Sequence, residues 1–233
     1  MNTKKPQELI VESLKTKAST KQAVYDNTKK ALSLLKTVIS EYQRETNNLL
    51  KGYDKRIMLE YRDRGKFEAE LKIAGDLLIF SMHSNIFEFE HNHSIWKSPY
   101  ILKNKLNSFC GIINIYNFLN DSFRYNRLND LGYLIARIFI NRENHYFVEG
   151  KRQLGFLYNN FDENILDKSA LRNILESAIL YTLEFDLYVP PYDTKAIVTV
   201  EQMTEKFVNA NIQTAKRLGF QFHNDNDNIS ENS

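Results

Sequence analysis

A chain of 233 residues that is 42% hydrophobic and 12% aromatic carries enough apolar material for a sizeable core, which excludes an intrinsically disordered polypeptide. Lysine and arginine number 31 against 29 acids, a formal net charge of +2, so nucleic-acid binding by bulk phosphate neutralisation is not expected. With 8 glycines and 4 prolines the turn chemistry is too sparse for an all-β sandwich, and a single cysteine, Cys110, excludes an internal disulfide. Cys110 lies in an apolar run, where a small buried hydrophobe is the ordinary role. The first residues are polar and lack the apolar core of a signal peptide, and no apolar run reaches the roughly 18 residues that span a bilayer. A cytoplasmic protein with no membrane partner is the expectation.

Pro6 suits the first turn of a helix, where its missing N–H costs nothing. From there to about Leu50 neither glycine nor proline interrupts the chain. Val24, Thr28, Ala31, Leu35, Val38 and Tyr42 recur at alternating steps of four and three, with Ile10 and Leu14 earlier in the same register. This is a narrow apolar seam of the coiled-coil kind. Lys17 and Lys21 interrupt it, so the first turns are expected to pack separately. Residues 1–51 are thus expected to form one long helix, part of which overhangs a compact body and associates with a second copy of itself, the alternative being a helix folded wholly onto its own sheet.

From Tyr53 to His93 the period changes to two. Phe67, Ala69, Leu71 and Ile73 alternate with Glu68, Glu70 and Lys72, the pattern of a half-buried strand. Ile57 to Tyr61 precedes it, with Asp63-Arg64-Gly65 as the hairpin turn. Leu77 to Met82 and Ile86 to Glu90 complete an expected four-stranded antiparallel meander.

Ile101 to Arg142 reads as helical. Apolar residues surround most of the circumference of a helix over Leu102–Tyr125, which places it at the centre of the core. A second apolar helix follows from Leu131 to near Asn141, after a corner at Asn126–Asn129. A hairpin is expected over His145–Tyr158, a helix over Ser169–Phe185, and a last helix over Val200–Arg217 with Gly219 as its stop. The fold class is α+β: a meander plus hairpin packed against buried helices in one body over residues 52–222, with residues 223–233 a disordered polar tail.

Three constellations suggest chemistry. His91 and His93 stand two apart, on one face of a strand, with His83 on the strand before. Imidazoles so placed, with Glu88 or Glu90 as an oxygen ligand, suit a metal ion, although His-x-His alone is a short motif. Glu70-Leu71-Lys72 with Asp63 is similar to the acid and lysine pattern of metal-dependent nucleases, in which carboxylates hold the metal and lysine stabilises developing charge. Strand alternation alone explains the same residues as a solvated face.

Asn107, Asn114, Asn117 and Asp121 fall at helical spacing along one side of the expected apolar helix, with Arg124 just beyond and Arg137 in the next. Buried amides and a buried guanidinium need partners. They point either to a ligand pocket with apolar walls and convergent polar groups or to an internal network in which Asp121 or Asp130 pairs Arg137. The aromatic-basic stretches around Phe123–Arg127 and Lys151–Tyr158 are explained by core packing with outward-reaching arginines. Gly-rich phosphate loops, Gly-x-Ser-x-Gly, Cys-x-x-Cys and His-Glu-x-x-His are absent from the sequence.

Two functions fit these features. The first is a non-catalytic regulatory module that binds a small molecule or a protein and self-associates through its N-terminal helix. The second is a metal-dependent hydrolase or nuclease using Glu70, Lys72 and the three histidines. No cofactor is indicated by any motif.

Overall fold

A computed structural model describes residues 5–128, 130–156 and 160–184. The last expected helix, its Gly219 stop and the polar tail lie outside these residues. The chain divides into two units, Met1–Asn120 with Gly132–Glu184, and Asp121–Leu131 with the residues from 185 onward.

The first unit begins with α1 (Pro6–Ser13), where Glu8 accepts a hydrogen bond from the backbone N–H of Lys5 at 3.2 Å. A π-helical turn, Leu14–Ala18, joins it without a break to α2 (Ser19–Leu49). The irregular turn falls beside Lys17, where the seam is interrupted. From Val24 onward the seam is not available to a second copy. Val24, Thr28, Ala31, Leu35 and Val38 are buried and Tyr42 is half-buried, and the sheet of the same unit covers them. A helix is held mostly by tertiary packing of its apolar face, and α2 buries that face against its own sheet. α1 and the π-turn bury none of their residues, and the π-turn touches the sheet through Lys17, whose ammonium lies 5.3 Å from the Phe109 ring centre.

Among the described residues, seven strands form one antiparallel sheet. β1 (Glu60–Asp63), β2 (Glu68–Ile73) and β3 (Asp76–Met82) make the meander that the alternation predicts. Gly65, at φ 88°, closes the first hairpin by donating its N–H to the Asp63 carboxylate at 2.9 Å. β4 (Phe87–Glu88) pairs not with β3 but with the far end of β5, continuing the line of β3 after an excursion at His83–Ile86.

The two central helices expected from the sequence are strands. Between them and the meander lie only a 3₁₀ turn (Ser94–Lys97), α3 (Pro99–Lys103) and a second 3₁₀ turn (Lys105–Ser108). β5 (Phe109–Leu119) and β6 (Tyr133–Asn141) are the central strands, and β7 (Tyr146–Gly150) completes the order β1-β2-β3-β5-β6-β7. Their faces are covered on both sides, so the alternation that reveals a strand is absent and an unbroken apolar run remains. The isoleucines at 112, 113, 115, 135, 138 and 140 were the sign of strand, since branching at Cβ suits an extended backbone better than a helix. The expected hairpin turn at Glu149-Gly150-Lys151 is instead the end of β7, and the tight turn lies between Asn141 and His145.

α5 (Gln153–Phe156) follows β7, after the separate α4 (Asn120–Arg124), which leads from β5 into the second unit. α6 (Lys168–Leu183) is capped by Asp167, which accepts from the Ala170 N–H at 2.7 Å. α2 and α6 together cover one face of the sheet: Leu32, Leu35, Ile39, Leu171, Leu175 and Ala178 pack with Leu71, Phe80, Ile113 and Ile138. A smaller cluster, Ile95, Ile101, Cys110, Ile112, Phe139 and Phe161, occupies the opposite, outer face. Among the described residues no helix is long and apolar enough to cross a membrane.

Candidate functional site

Strand register builds the site. Across the outer face, Glu68 pairs with Ser81, Ser81 with Asn114, Asn114 with Arg137, and Arg137 with Glu149. Paired residues of neighbouring strands project to the same side, so five strands contribute one polar row. Arg137 donates from Nε to Glu149 at 2.7 Å and also pairs with it through the guanidinium terminus. The Ser81 hydroxyl donates to Glu68 at 3.3 Å.

The adjacent row is apolar: Ile112, Phe139 and Phe147 pair in turn. The rings of Phe139 and Phe147 stack at 4.6 Å, and Phe89 lies 5.1 Å from the first and 5.4 Å from the second. The Arg137 guanidinium lies 5.5 Å from the Phe139 ring centre.

Where the two rows meet, the outer face opens into a cavity of about 490 Å³. Asn114, Tyr116 and Arg137 line its floor, and the segment from His83 to His93 forms its rim. The cavity thus brings together Asn114, Arg137, His83 and His93, which the sequence presents as two unrelated groups. A second cavity of about 640 Å³ adjoins, sharing His93, Phe147 and Glu149 and continuing to Ser98 and Asp162, whose side chains hydrogen-bond to each other.

Arg137 is half-buried and ion-paired, as its position in an apolar run implies, but its partner is neither Asp121 nor Asp130. Asn117 does not share the stripe with Asn114. Three residues apart on a helix is one side; on a strand it is opposite sides. Asn117 pairs with Leu78 on the α2 face, is 2% exposed, and its carbonyl oxygen has no hydrogen-bond partner among the described residues.

Asp121 and Arg124 lie on α4. In the second unit the Asp121 backbone carbonyl accepts from the Tyr125 N–H at 3.0 Å, and the Arg124 guanidinium lies 5.3 Å from the Tyr125 ring. Asp130 of that unit accepts from the Ser122 hydroxyl at 2.7 Å and pairs with Arg127 at 3.3 Å.

The histidines are used by their own backbone. His83 accepts from the Asn85 N–H at 3.0 Å and His93 from the Ile95 N–H at 3.2 Å, each through Nδ1. His91 leaves the group and packs on Trp96 at 5.5 Å between ring centres. β4 ends at Glu88, so the strand geometry that would align His91 with His93 does not extend to them. Among the described residues no three His, Cys, Asp or Glu side chains converge as a metal ion requires. Glu70 pairs with Arg64 at 2.8 Å, Lys72 with Glu60, and Asp63 with Lys36 at 2.6 Å, so each member of the nuclease-like set has a structural partner.

Sequence reasoning passed over Phe89, Phe147 and Glu149, although Phe87-Glu88-Phe89-Glu90 displayed the alternation of an aromatic face beside an acidic one. It also passed over a polar knot at the β6–β7 turn. The Asn141 amide donates to the Tyr100 hydroxyl at 2.9 Å, and Tyr100 donates to Glu143 at 2.6 Å. Burial pushes the Tyr100 hydroxyl well above its ordinary value, and the Tyr100 hydrogen bond holds the Glu143 carboxyl below its own. Tyr100 stacks on His145 at 4.4 Å, and Asn141 accepts from the N–H groups of Glu143 and His145. Every polar atom named in the knot serves to hold the turn.

Comparison with family models, with curated proteins and with solved structures finds no significant match to this chain.

Proposed function

We propose that the protein is a non-catalytic binding module whose ligand lies in the outer-face cavity, and that copies associate through the N-terminal helix. The observation that carries the reading is the meeting of a polar row and an aromatic row in an open cavity of about 490 Å³. Ligand sites combine apolar walls with a few convergent polar groups, in volumes on the order of 300–1,000 Å³. Asn114 offers both a donor and an acceptor there, and Arg137 is held in place by Glu149. Cys110, the one thiol in the wall, is buried, and burial pushes it well above the ordinary thiol value. It therefore stays protonated and serves as wall, not as nucleophile.

Protein-observed NMR with a fragment library tests the cavity. The methyl groups of Ile112 and Leu134, which line it, shift saturably with bound fragments that are recovered unchanged, and Asn114→Tyr, which fills the space, abolishes the shifts. Methyl groups that respond to no fragment, or fragments that are chemically altered, would sink the reading.

The support for self-association is the overhang. Leu9, Ile10, Val11 and Leu14 are between 42% and 59% exposed on a helix that buries no residue of its own. The seam from Val24 to Tyr42 takes no part in it.

A further inference from the structure

The geometry points to an organic cation, a primary or quaternary ammonium, as the class of ligand the outer-face cavity takes; this rests on the cavity being the binding site. Three features lead there. The charged lining residues are Glu88, Glu90 and Glu149 against the single Arg137. A cavity lined by one sign of charge with apolar walls concentrates ions of the opposite sign. Arg137 is already committed to Glu149, so no uncommitted cation is left for an anionic ligand. An incoming carboxylate would have to displace Glu149 while facing the two rim acids.

The acids are differently engaged. Glu149 is taken by Arg137, and among the described residues Glu88 reaches only the Ser108 hydroxyl, at 3.4 Å. The Glu90 carboxylate makes no hydrogen bond or ion pair with the described residues. It stands on the exposed rim, next in sequence to Phe89.

The wall is the third feature. Phe89, Phe139 and Phe147 form one aromatic cluster, and Phe87 meets His83 edge-on at 4.8 Å. Ring faces attract cations through their quadrupole, and this wall already holds one, the Arg137 guanidinium over Phe139. A methylated or alkyl ammonium buries its carbons on the rings and directs its charge to the carboxylates at the rim. A neutral ligand of the same shape would gain only the first of these.

The test titrates the intact protein with choline, with its uncharged isostere 3,3-dimethyl-1-butanol, and with benzoate, following the amides of Phe89, Phe147 and Arg137 by NMR. Choline is expected to give saturable shifts at these positions, about tenfold tighter than the alcohol. Added salt weakens it, and Glu90→Gln and Glu88→Gln, on exposed rim positions, each weaken choline without weakening the alcohol. Equal binding of choline and alcohol, or preference for benzoate, overturns the cation assignment and leaves the cavity a binding site of another class. No choline response at any of the three amides also overturns it, whereas the binding-module reading fails if the fragment library as a whole leaves the cavity untouched or if bound fragments are chemically altered.

Discussion

Thr28 of α2 sits directly over Gly111 of β5: a Cβ placed on Gly111 would lie 2.0 Å from the Thr28 hydroxyl oxygen and 2.8 Å from its Cβ. The Thr28 side chain thus presses on the central strand at a point where glycine leaves it room. The Thr28 hydroxyl turns back to donate to the Val24 carbonyl at 2.7 Å, so a polar atom is satisfied in a buried contact.

Gly111→Ala is expected to destabilise the fold by roughly 1–3 kcal/mol through overpacking. Thr28→Ala in the same chain removes the nearest atom but not the Cβ behind it, so the double variant recovers part of the loss. Chemical denaturation of the two single variants and the double variant measures the coupling. Strictly additive effects would show that the two residues do not meet.

Truncation at Ser19 removes the overhang and keeps α2 whole. Sedimentation of the intact chain should show association that the truncated chain and Ile10→Glu/Leu14→Glu both lose, with the thermal transition unchanged. Leu35→Glu should instead unfold the chain, because Leu35 is fully buried against the sheet. An intact chain that stays monomeric at tens of micromolar disproves self-association.

Asn117→Leu places an apolar side chain of similar size where a buried carbonyl oxygen lacks a partner among the described residues. Removing such a group is neutral to stabilising, by up to roughly 1 kcal/mol. A higher Tm for the variant is the expected result. A clear drop would mean that the Asn117 amide is anchored.

Acid should weaken the β6–β7 turn. The Tyr100 hydrogen bond is the main cause that holds Glu143 below its ordinary value of 4.5, with burial opposing and Arg142 assisting. A carboxyl depressed in the folded state adds stability above its unfolded value, lost as pH falls through the folded one. Tyr100→Phe should therefore lower stability near neutrality, with the gap to the unaltered protein closing as pH drops below about 4. A gap that is constant across this range would show that the Tyr100 hydroxyl does not act through Glu143.

Some of this molecule is legible residue by residue. The α2 seam and the β2 alternation are local periodicities and both stand in the structure, except that Glu70, expected on the solvated face of β2, is buried and paired with Arg64. The break at Lys17 appears as a π-turn for the same local reason. In β5 and β6 the signal disappears because α2 covers one face while Phe89, Ile95 and their neighbours cover the other. A strand buried on both sides and a buried helix are then written alike. From the sequence Asn114 and Arg137 could be recognised as polar residues in apolar runs that need partners. That Glu149 is the partner, that Asn117 faces away, and that His83 and His93 border the same cavity depend on register. Register joins residues far apart in the chain, and only the packing of the whole sheet selects one alignment over its neighbours.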